Sequence, residues 1–443
     1  MINRLLLLKN YDKFSLLVLL LSAFPILPYV FRSILLITLA VLTIIHVFKT
    51  SDNTGNFNKT LLITILPFLI LMLSLSYTED INKGIQRLIQ MMAFFVLPFV
   101  FYFNRHLITL KLIDWSLNIF AVSVVALVLY QCVYCLYFNE IIFSEPSQLE
   151  LKNLNLLNSN NLNENAINQI KLRRFRKFVT EITDTHTTYQ GIWIIFTIAV
   201  LFKNILKRKS AVLKSLSVFF SIILITWLFI ISARGPLIGL ILASIASFIL
   251  YKKGQINLKI ITGLLISLIL VFSLGYKAIP GFKLKVDEVL NTKLELPTSG
   301  NDIYNFNSTN VRYGIYYCSI EVIKKNVFLG VGIGDLQKEL NSCFHNTIGA
   351  KVYFWRDFNT HNQFLFFFAS AGILGVISFI FSIFASIYFA ITWKDSLFLF
   401  FILSVLIVFL TENVLSRSDG VIFYSFFNSL MLFKTAFKIN DSN

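Results

Sequence analysis

Arginines beside apolar runs and histidines at the ends of such runs are the residues of this sequence best placed to do chemistry. Arg234, in Ile231-Ser232-Ala233-Arg234-Gly235-Pro236, separates two apolar stretches with almost no connecting loop. A charge so placed is an interfacial anchor, because long cations snorkel to the headgroups, or a ligand, because charge held against a membrane interior is costly and often functional. Arg312 lies in the segment Ser308 to Asn326, which opens on candidate N-caps Ser308 and Thr309 and has no Gly or Pro except Gly314, so it predicts a helix. On that helix Arg312, Tyr316, Ser319 and Ile323 fall at spacings of four, three and four, which sets a guanidinium beside a phenol on one face. Two guanidiniums on one side of a membrane can hold a diphosphate bidentately and offset charge as it develops on a leaving group.

His361 and Asn362 stand where a long polar segment enters an apolar run, followed by Ala371-Gly372-Ile373-Leu374-Gly375. An imidazole titrates near neutral pH and can take a proton from, or orient, an attacking hydroxyl, although a boundary histidine is more often structural. His186, in Asp184-Thr185-His186-Thr187-Thr188-Tyr189, is a second boundary histidine with the same two readings. There is no G-x-x-x-x-G-K-[ST] phosphate loop, no G-x-S-x-G elbow, no H-E-x-x-H helix and no Asp-x-Asp pair. Nucleotide-driven transport and zinc hydrolysis lose their support, and any diphosphate handled here is neutralised by Arg or Lys, with no metal or other cofactor expected.

The elements that must position these groups are membrane helices. Of 443 residues 56% are hydrophobic and only 14% charged, with 46 Phe, which excludes an ordinary cytosolic enzyme. The expected fold is all-α and polytopic, with about twelve spans near 13–31, 33–49, 60–77, 88–104, 113–138, 187–204, 212–232, 235–251, 258–277, 362–392, 396–415 and 420–437. Arg4 and Lys9 precede an apolar stretch that lacks a small-residue cleavage site, so an anchor is expected rather than a removed signal peptide. The formal net charge of +16 comes from short basic clusters between apolar runs, the pattern of topology signals rather than of a nucleic-acid partner. Inner connections would hold Lys49, Lys59, Arg105, Lys111, Lys203 to Lys214, Lys252, Lys253, Lys259, Lys394, Lys434 and Lys438; outer ones hold only Arg32, Lys83, Arg87, Arg234 and Arg417. Both termini are therefore expected in the cytoplasm.

The chain reads as a single membrane domain, 1–443, with two long outer loops. The first, 139–186, is Asn-rich from Lys152 to Gln169 and ends in a basic cluster from Lys171 to Lys177; its Asn-rich part is functional or disordered. The second, 278–361, looks folded; after its helix, Gly330-Val331-Gly332-Ile333-Gly334 lets backbone approach something closely, and it closes at Trp355, Arg356 and Thr360. Cys318 and Cys343 both fall in this loop, where a disulfide is chemically permitted. Cys132 and Cys135 share one face of an apolar helix as small core residues.

His361-Asn362, nine residues, Gly372, two residues and Gly375 resembles the H-[NSQ]-x9-G-x2-[GTY] signature of the O-antigen ligase family, which includes related O-antigen polymerases and protein O-oligosaccharyltransferases. The span count, the large loop between the ninth and tenth spans and an Arg near the start of the eighth extend the resemblance, which covers the C-terminal half best. It implies a metal-independent, inverting glycosyltransferase of the bacterial inner membrane, its site facing the periplasm, that takes glycan from a polyprenyl-diphosphate carrier. By the same resemblance Arg234 and Arg312 bind the donor diphosphate and His361 activates or positions the acceptor hydroxyl, with Asn362, Tyr316 and His186 as substrate-binding candidates. Glu412, in Thr411-Glu412-Asn413, and Arg417 resemble the polar cluster near the end of family members.

Two acceptors fit this chemistry, lipid A core for a ligase and a second lipid-linked glycan for a polymerase, and sequence does not separate them. A protein O-oligosaccharyltransferase is a further alternative. So is a transporter that moves lipid-linked sugar and breaks no bond, against which the two halves show no repeat or recurring Gly/Pro interruption.

Overall fold

The computed structural model describes residues 13–49, 59–153, 164–207, 210–251, 258–297, 308–354 and 356–434. Arg4, Lys9, Arg208, Lys209, Lys252, Lys253, Trp355, Lys438 and most of the Asn-rich stretch lie outside them. Among the described residues the regular structure is helical, with no strand. Six helices are long and apolar enough to cross a bilayer: Tyr29–Phe48, Lys59–Tyr77, Leu110–Tyr137, Thr187–Lys207, Ala211–Ile230 and Gln363–Thr392. Large apolar side chains such as Phe48, Leu136, Phe219 and Phe384 are exposed on them, as lipid-facing surfaces require. These are the helices of a multi-pass membrane protein.

Two expected spans are broken. The first stops at Ser22 after Lys13–Ser22, passes through a 3-10 turn at Phe24–Ile26 and resumes at Tyr29. Pro25 and Pro28 explain the break, since neither can donate the helical hydrogen bond. The fourth is a pair of helices, Ile81–Met91 and Ala93–Phe103, bent by 42°. Its first half, INKGIQRLIQ, is amphipathic and is capped by Asp80, whose carboxylate accepts from the Lys83 N–H at 3.0 Å. With these breaks, and with short apolar helices at Arg234–Leu250 and Ser396–Phe409, helix length and composition alone give six crossings, or up to seven if the bent pair is one, rather than twelve.

Arg32, placed by its sequence in an outer connection, is instead buried inside the second helix and ion-paired with Asp419, which also accepts from the Tyr29 hydroxyl at 2.8 Å. Removing one partner of such a buried pair costs roughly 3–5 kcal/mol. Asp419 opens the helix Ser418–Lys434, in which every residue from Asp419 to Phe433 is buried. This helix is the axis of the bundle, and a helix apolar nearly all round is one surrounded by protein. Phe427 meets Phe120 and Phe196, each at 4.8 Å between ring centroids, and Phe423 meets Phe401 at 5.4 Å.

Around that axis the ends of several helices converge. A Cβ at Gly191 would lie 2.7 Å from Pro236 Cγ and one at Gly235 would lie 3.1 Å from Thr411 Oγ1, so the starts of two helices abut the turn after Ser396–Phe409. Small residues allow this approach in membrane bundles. The Tyr189 hydroxyl donates to the Asn413 carbonyl at 3.1 Å and fastens the same corner.

Both long loops are folded where described. The basic cluster of the first lies on a helix, Glu164–Thr183, whose Arg174 donates to the carbonyls of Ile141, Ile142 and Ser144. The second loop carries Pro280–Asn291, the expected helix at Ser308–Lys325, and Leu336–Cys343. Cys318 and Cys343 form a disulfide with Cα atoms 5.7 Å apart, which joins the last two of these helices.

The glycine run finds its close neighbour in the membrane helix after His361. That helix unwinds at Ala371 and Gly372, where Gly372 has φ +64°. Val331 N–H donates to the Ala369 carbonyl at 2.8 Å, Gly332 N–H to Ser370 at 3.0 Å, and Ile373 N–H returns to Val327 at 2.9 Å. A Cβ on Gly372 would sit 2.0 Å from the Phe328 carbonyl oxygen, so both its left-handed backbone and its contact demand glycine. The glycine half of the His-Asn-to-Gly signature is thus a notch into which the second long loop docks.

Candidate active site

His361 ends the large loop in a left-handed conformation, φ +43°, a sparsely populated region for a residue with a side chain. Its N–H donates to Asn359 Oδ1 at 3.0 Å, and Thr360 Oγ1 bonds Asn413 Oδ1 at 3.0 Å. Two of the three other non-glycine positive-φ residues also flank site residues: Asp184 precedes His186 by two positions and Ser232 precedes Arg234 by two. Such strain persists where surroundings over-determine the backbone, and it concentrates at functional sites.

Glu412 is the centre of the arrangement. One carboxylate oxygen accepts from Arg312 Nη2, and the other lies 3.0 Å from His361 Nδ1. Burial raises the pKa of this carboxyl, but the hydrogen bond and charge of His361 and the charge of Arg312 outweigh it and hold Glu412 well below the usual carboxylate range. An ionised carboxylate only accepts, so the Nδ1 that faces it carries a proton, and Nε2 is the ring nitrogen turned away from the carboxylate.

Arg234 forms a second cluster. Its Nη2 donates to Ser308 Oγ at 2.8 Å, its Nη1 to the Lys285 carbonyl at 3.3 Å, and it stands 3.8 Å from Glu288. Glu288 also binds Lys285 and the Ser308 N–H, tying the start of the Arg312 helix to Pro280–Asn291. Burial again works against ionisation of Glu288, and Lys285, Ser308 and Arg234 reverse it, leaving its pKa lowered.

Arg176, from the first outer loop, completes the set. Its Nη2 donates to Thr187 Oγ1 at 2.8 Å. Burial, then the charges of Arg234 and Arg312, push its pKa down, and Glu412 and Glu288 push back. A guanidinium stays charged under such a shift. Four cations, Arg176, Arg234, Lys285 and Arg312, thus face two carboxylates, Glu288 and Glu412, and the excess is positive.

The other expected residues take different places. His186 sits at the edge of this group, and burial first, with Arg176, Arg417 and His361 adding to it against Glu412, lowers its pKa to about 4, so it is neutral at pH 7. Its Nδ1 accepts from the Thr188 N–H at 3.3 Å. Tyr316 OH reaches the carbonyls of His361 and Leu410, each at 3.4 Å. Asn362 caps the following helix through Oδ1, accepting from the N–H groups of Phe364 and Leu365, and donates to the Leu410 carbonyl at 3.1 Å. Arg417 is exposed and makes no ion pair among the described residues. Sequence reasoning missed Arg176, Lys285 and Glu288. For Arg176 the signal was present in the cluster from Lys171 to Lys177, but nothing in it singles out the one side chain that turns inward. No group of three or more His, Cys, Asp or Glu that could hold a metal occurs among the described residues.

Fold and site together define a multi-pass membrane protein with a cluster of arginines beside a histidine held by a carboxylate. Residues 219–380 match the family model described as O-antigen ligase, so this part of the chain is similar to that family. The matched part contains Arg234, Lys285, Glu288, Arg312, His361 and the Gly372 notch; Arg176, His186 and Glu412 lie outside it. A comparison with curated proteins gives no match.

Proposed function

We propose that the protein is a membrane glycosyltransferase that moves glycan from a polyprenyl-diphosphate carrier to an acceptor hydroxyl, as an O-antigen ligase whose acceptor is lipid A core. The observation that carries this reading is the pair of links from Glu412 to Arg312 and to His361, set beside Arg234 and Arg176. The twelve-span bacterial inner-membrane topology with cytoplasmic termini and a periplasmic site belongs to the same reading. A disulfide between Cys318 and Cys343 supports the oxidising side for the loop.

In this mechanism His361 Nε2 accepts the proton of the acceptor hydroxyl as its oxygen attacks the anomeric carbon. The bond from that carbon to the carrier diphosphate breaks, and its electron pair leaves with the diphosphate. Arg176, Arg234 and Arg312 stabilise the charge that collects there. Glu412 fixes the tautomer and orientation of the imidazole and stabilises the imidazolium that forms. Direct attack inverts the anomeric centre. Because the arginines supply the positive charge, EDTA leaves transfer intact; loss restored by Mg²⁺ or Mn²⁺ contradicts this.

The deciding experiment is the surface glycan profile of a deletion strain carrying wild type or His361→Ala, with the variant shown to insert at normal abundance. Bare core, with long glycan left on the carrier, supports the ligase. Core bearing a single repeat assigns the same chemistry to a polymerase. An unchanged profile removes lipopolysaccharide as the product.

A further inference from the structure

A cavity of about 280 Å³ is lined by Asn359 and Asn413, next in the structure to His361 and Glu412, and by none of Arg176, Arg234 and Arg312. Its walls come from the amphipathic helix Ile81–Gln90, the start of Leu336–Cys343, and the short segments 357–359 and 413–416. Carboxamides dominate the lining: Gln86, Gln90, Gln337, Asn359 and Asn413. Each carboxamide both donates and accepts, which is what the neighbouring hydroxyls of a sugar ring require. Ile333 and Phe366 supply apolar ground for the C–H face of such a ring, while Lys83 and Arg87 face one carboxylate, Asp357. A diphosphate would call for the guanidinium set found on the other cluster.

Two of the lining residues connect the cavity to the histidine. Asn359 accepts the His361 N–H at 3.0 Å, and Asn413, which follows Glu412 in the chain, pairs with Thr360. The walls are also locked to each other. The Asp335 carboxylate accepts from the N–H groups of Glu79 and Asp80 at 2.6 and 3.0 Å, and Gly334 N–H donates to Thr78 Oγ1 at 3.0 Å. Charge-assisted bonds of this kind hold the amphipathic helix at a fixed distance from Gln337.

The geometry points to this cavity as the acceptor-saccharide subsite, which seats a sugar unit of the acceptor glycolipid through its hydroxyls and presents one of them to His361. The volume falls just short of the roughly 300 Å³ at which drug-sized pockets begin, and so suits a sugar unit rather than a polymer. The assignment rests on the glycosyl-transfer reading above and adds to it where the second substrate binds.

The test uses the full-length protein in detergent. The donor is the lipid-linked glycan, and the acceptor the glycolipid fraction, both extracted from a strain deleted for this gene. Gln86→Trp fills the cavity from an exposed helix, and Gln337→Ala strips a carboxamide from the opposite wall. Each raises the apparent KM for the acceptor about tenfold or more, the size of one or two lost hydrogen bonds, and leaves the donor KM and kcat within about twofold of wild type. An unchanged acceptor KM in both variants, or a rise in donor KM instead, overturns the subsite while transfer itself stands. No transfer by wild type overturns the transfer reading and the subsite with it. Binding is read separately by saturation-transfer NMR with the saccharide released from that glycolipid: its signals are present with wild type and lost in Gln86→Trp, and their persistence in that variant overturns the assignment.

Discussion

His361 Nδ1 lies 3.0 Å from Oε2 of Glu412, and the other oxygen of the same carboxylate is taken by Arg312. The group proposed to activate the acceptor hydroxyl and one proposed to hold the leaving diphosphate are therefore coupled through a single residue. Replacing Glu412 by Gln keeps the shape but removes the charge that fixes the imidazole. Transfer falls by about 10²- to 10⁴-fold, the usual worth of a positioned base, with donor binding changed far less. A single-turnover assay across pH measures it; wild-type rates in the variant would dismiss the coupling.

Arg176 tests whether the first outer loop belongs to the donor site. Arg176→Ala weakens donor binding or slows transfer by about 10- to 150-fold, as expected for a charged hydrogen bond worth about 1.5–3 kcal/mol. Arg176→Lys recovers part of it. Lys177→Ala, which touches only an exposed pair with Glu181, is the control and stays at wild-type level. Equal effects at 176 and 177 would mean a diffuse basic patch rather than a ligand.

How much of this was legible is clearest at these residues. Apolar runs reveal a helix wherever composition alone decides, and six of the described helices are long and apolar enough to cross a bilayer. The breaks at Pro25 and at Met91 to Met92 were less visible, because the surrounding residues stay hydrophobic on both sides. Arg234 and His361 drew attention because each stands at the edge of an apolar run, and Arg312 because it shares one face of an expected helix with Tyr316. Arg176 and Glu288 were not, since both sit among other charges, and only the docking of one loop helix on another selects them. The close approach demanded by Gly330 to Gly334 was readable, but its target at Gly372 and Thr78 was not.

The glycine notch predicts a contrast. Gly372→Ala forces a Cβ into the Phe328 carbonyl at positive φ, displaces the loop and abolishes most activity in protein that still inserts. Gly263→Ala meets nothing within 4 Å and is neutral or slightly stabilising. Thermal melts and transfer assays on the two variants check both statements, and an active Gly372→Ala enzyme would remove the docking argument.

His186 gives a pH dependence of stability. Its folded pKa of about 4 lies below its ordinary 6.5. Between those values the unfolded chain takes up a proton that the folded chain refuses, so stability falls as pH drops from 6.5 towards 4 and the loss is complete below that. The contribution is about 3 kcal/mol. His186→Asn keeps an acceptor for the Thr188 N–H and should flatten the fall in melting temperature between pH 7.5 and 4.5. The same fall in both proteins would assign it elsewhere.

The Cys318–Cys343 link closes a sequence separation of 25 residues, worth about 3–4 kcal/mol in the chain-entropy picture. Cys318→Ser or a reducing agent should lower the thermal stability of the loop and the transfer rate together, with Cys132→Ser without effect. Alkylation and mass spectrometry of protein from intact membranes provide the direct check: two free thiols at 318 and 343 would contradict the pairing.

The buried pair of Arg32 with Asp419 joins the second helix to the last one. A chain threaded into a bilayer from its N-terminus leaves Arg32 waiting for its counter-ion until 387 further residues have been synthesised. Glu412 and Asn413 arrive in the same stretch as Asp419. Competence for catalysis is therefore acquired late and at once, and a nascent or truncated chain holds its arginines and His361 without the carboxylate that organises them.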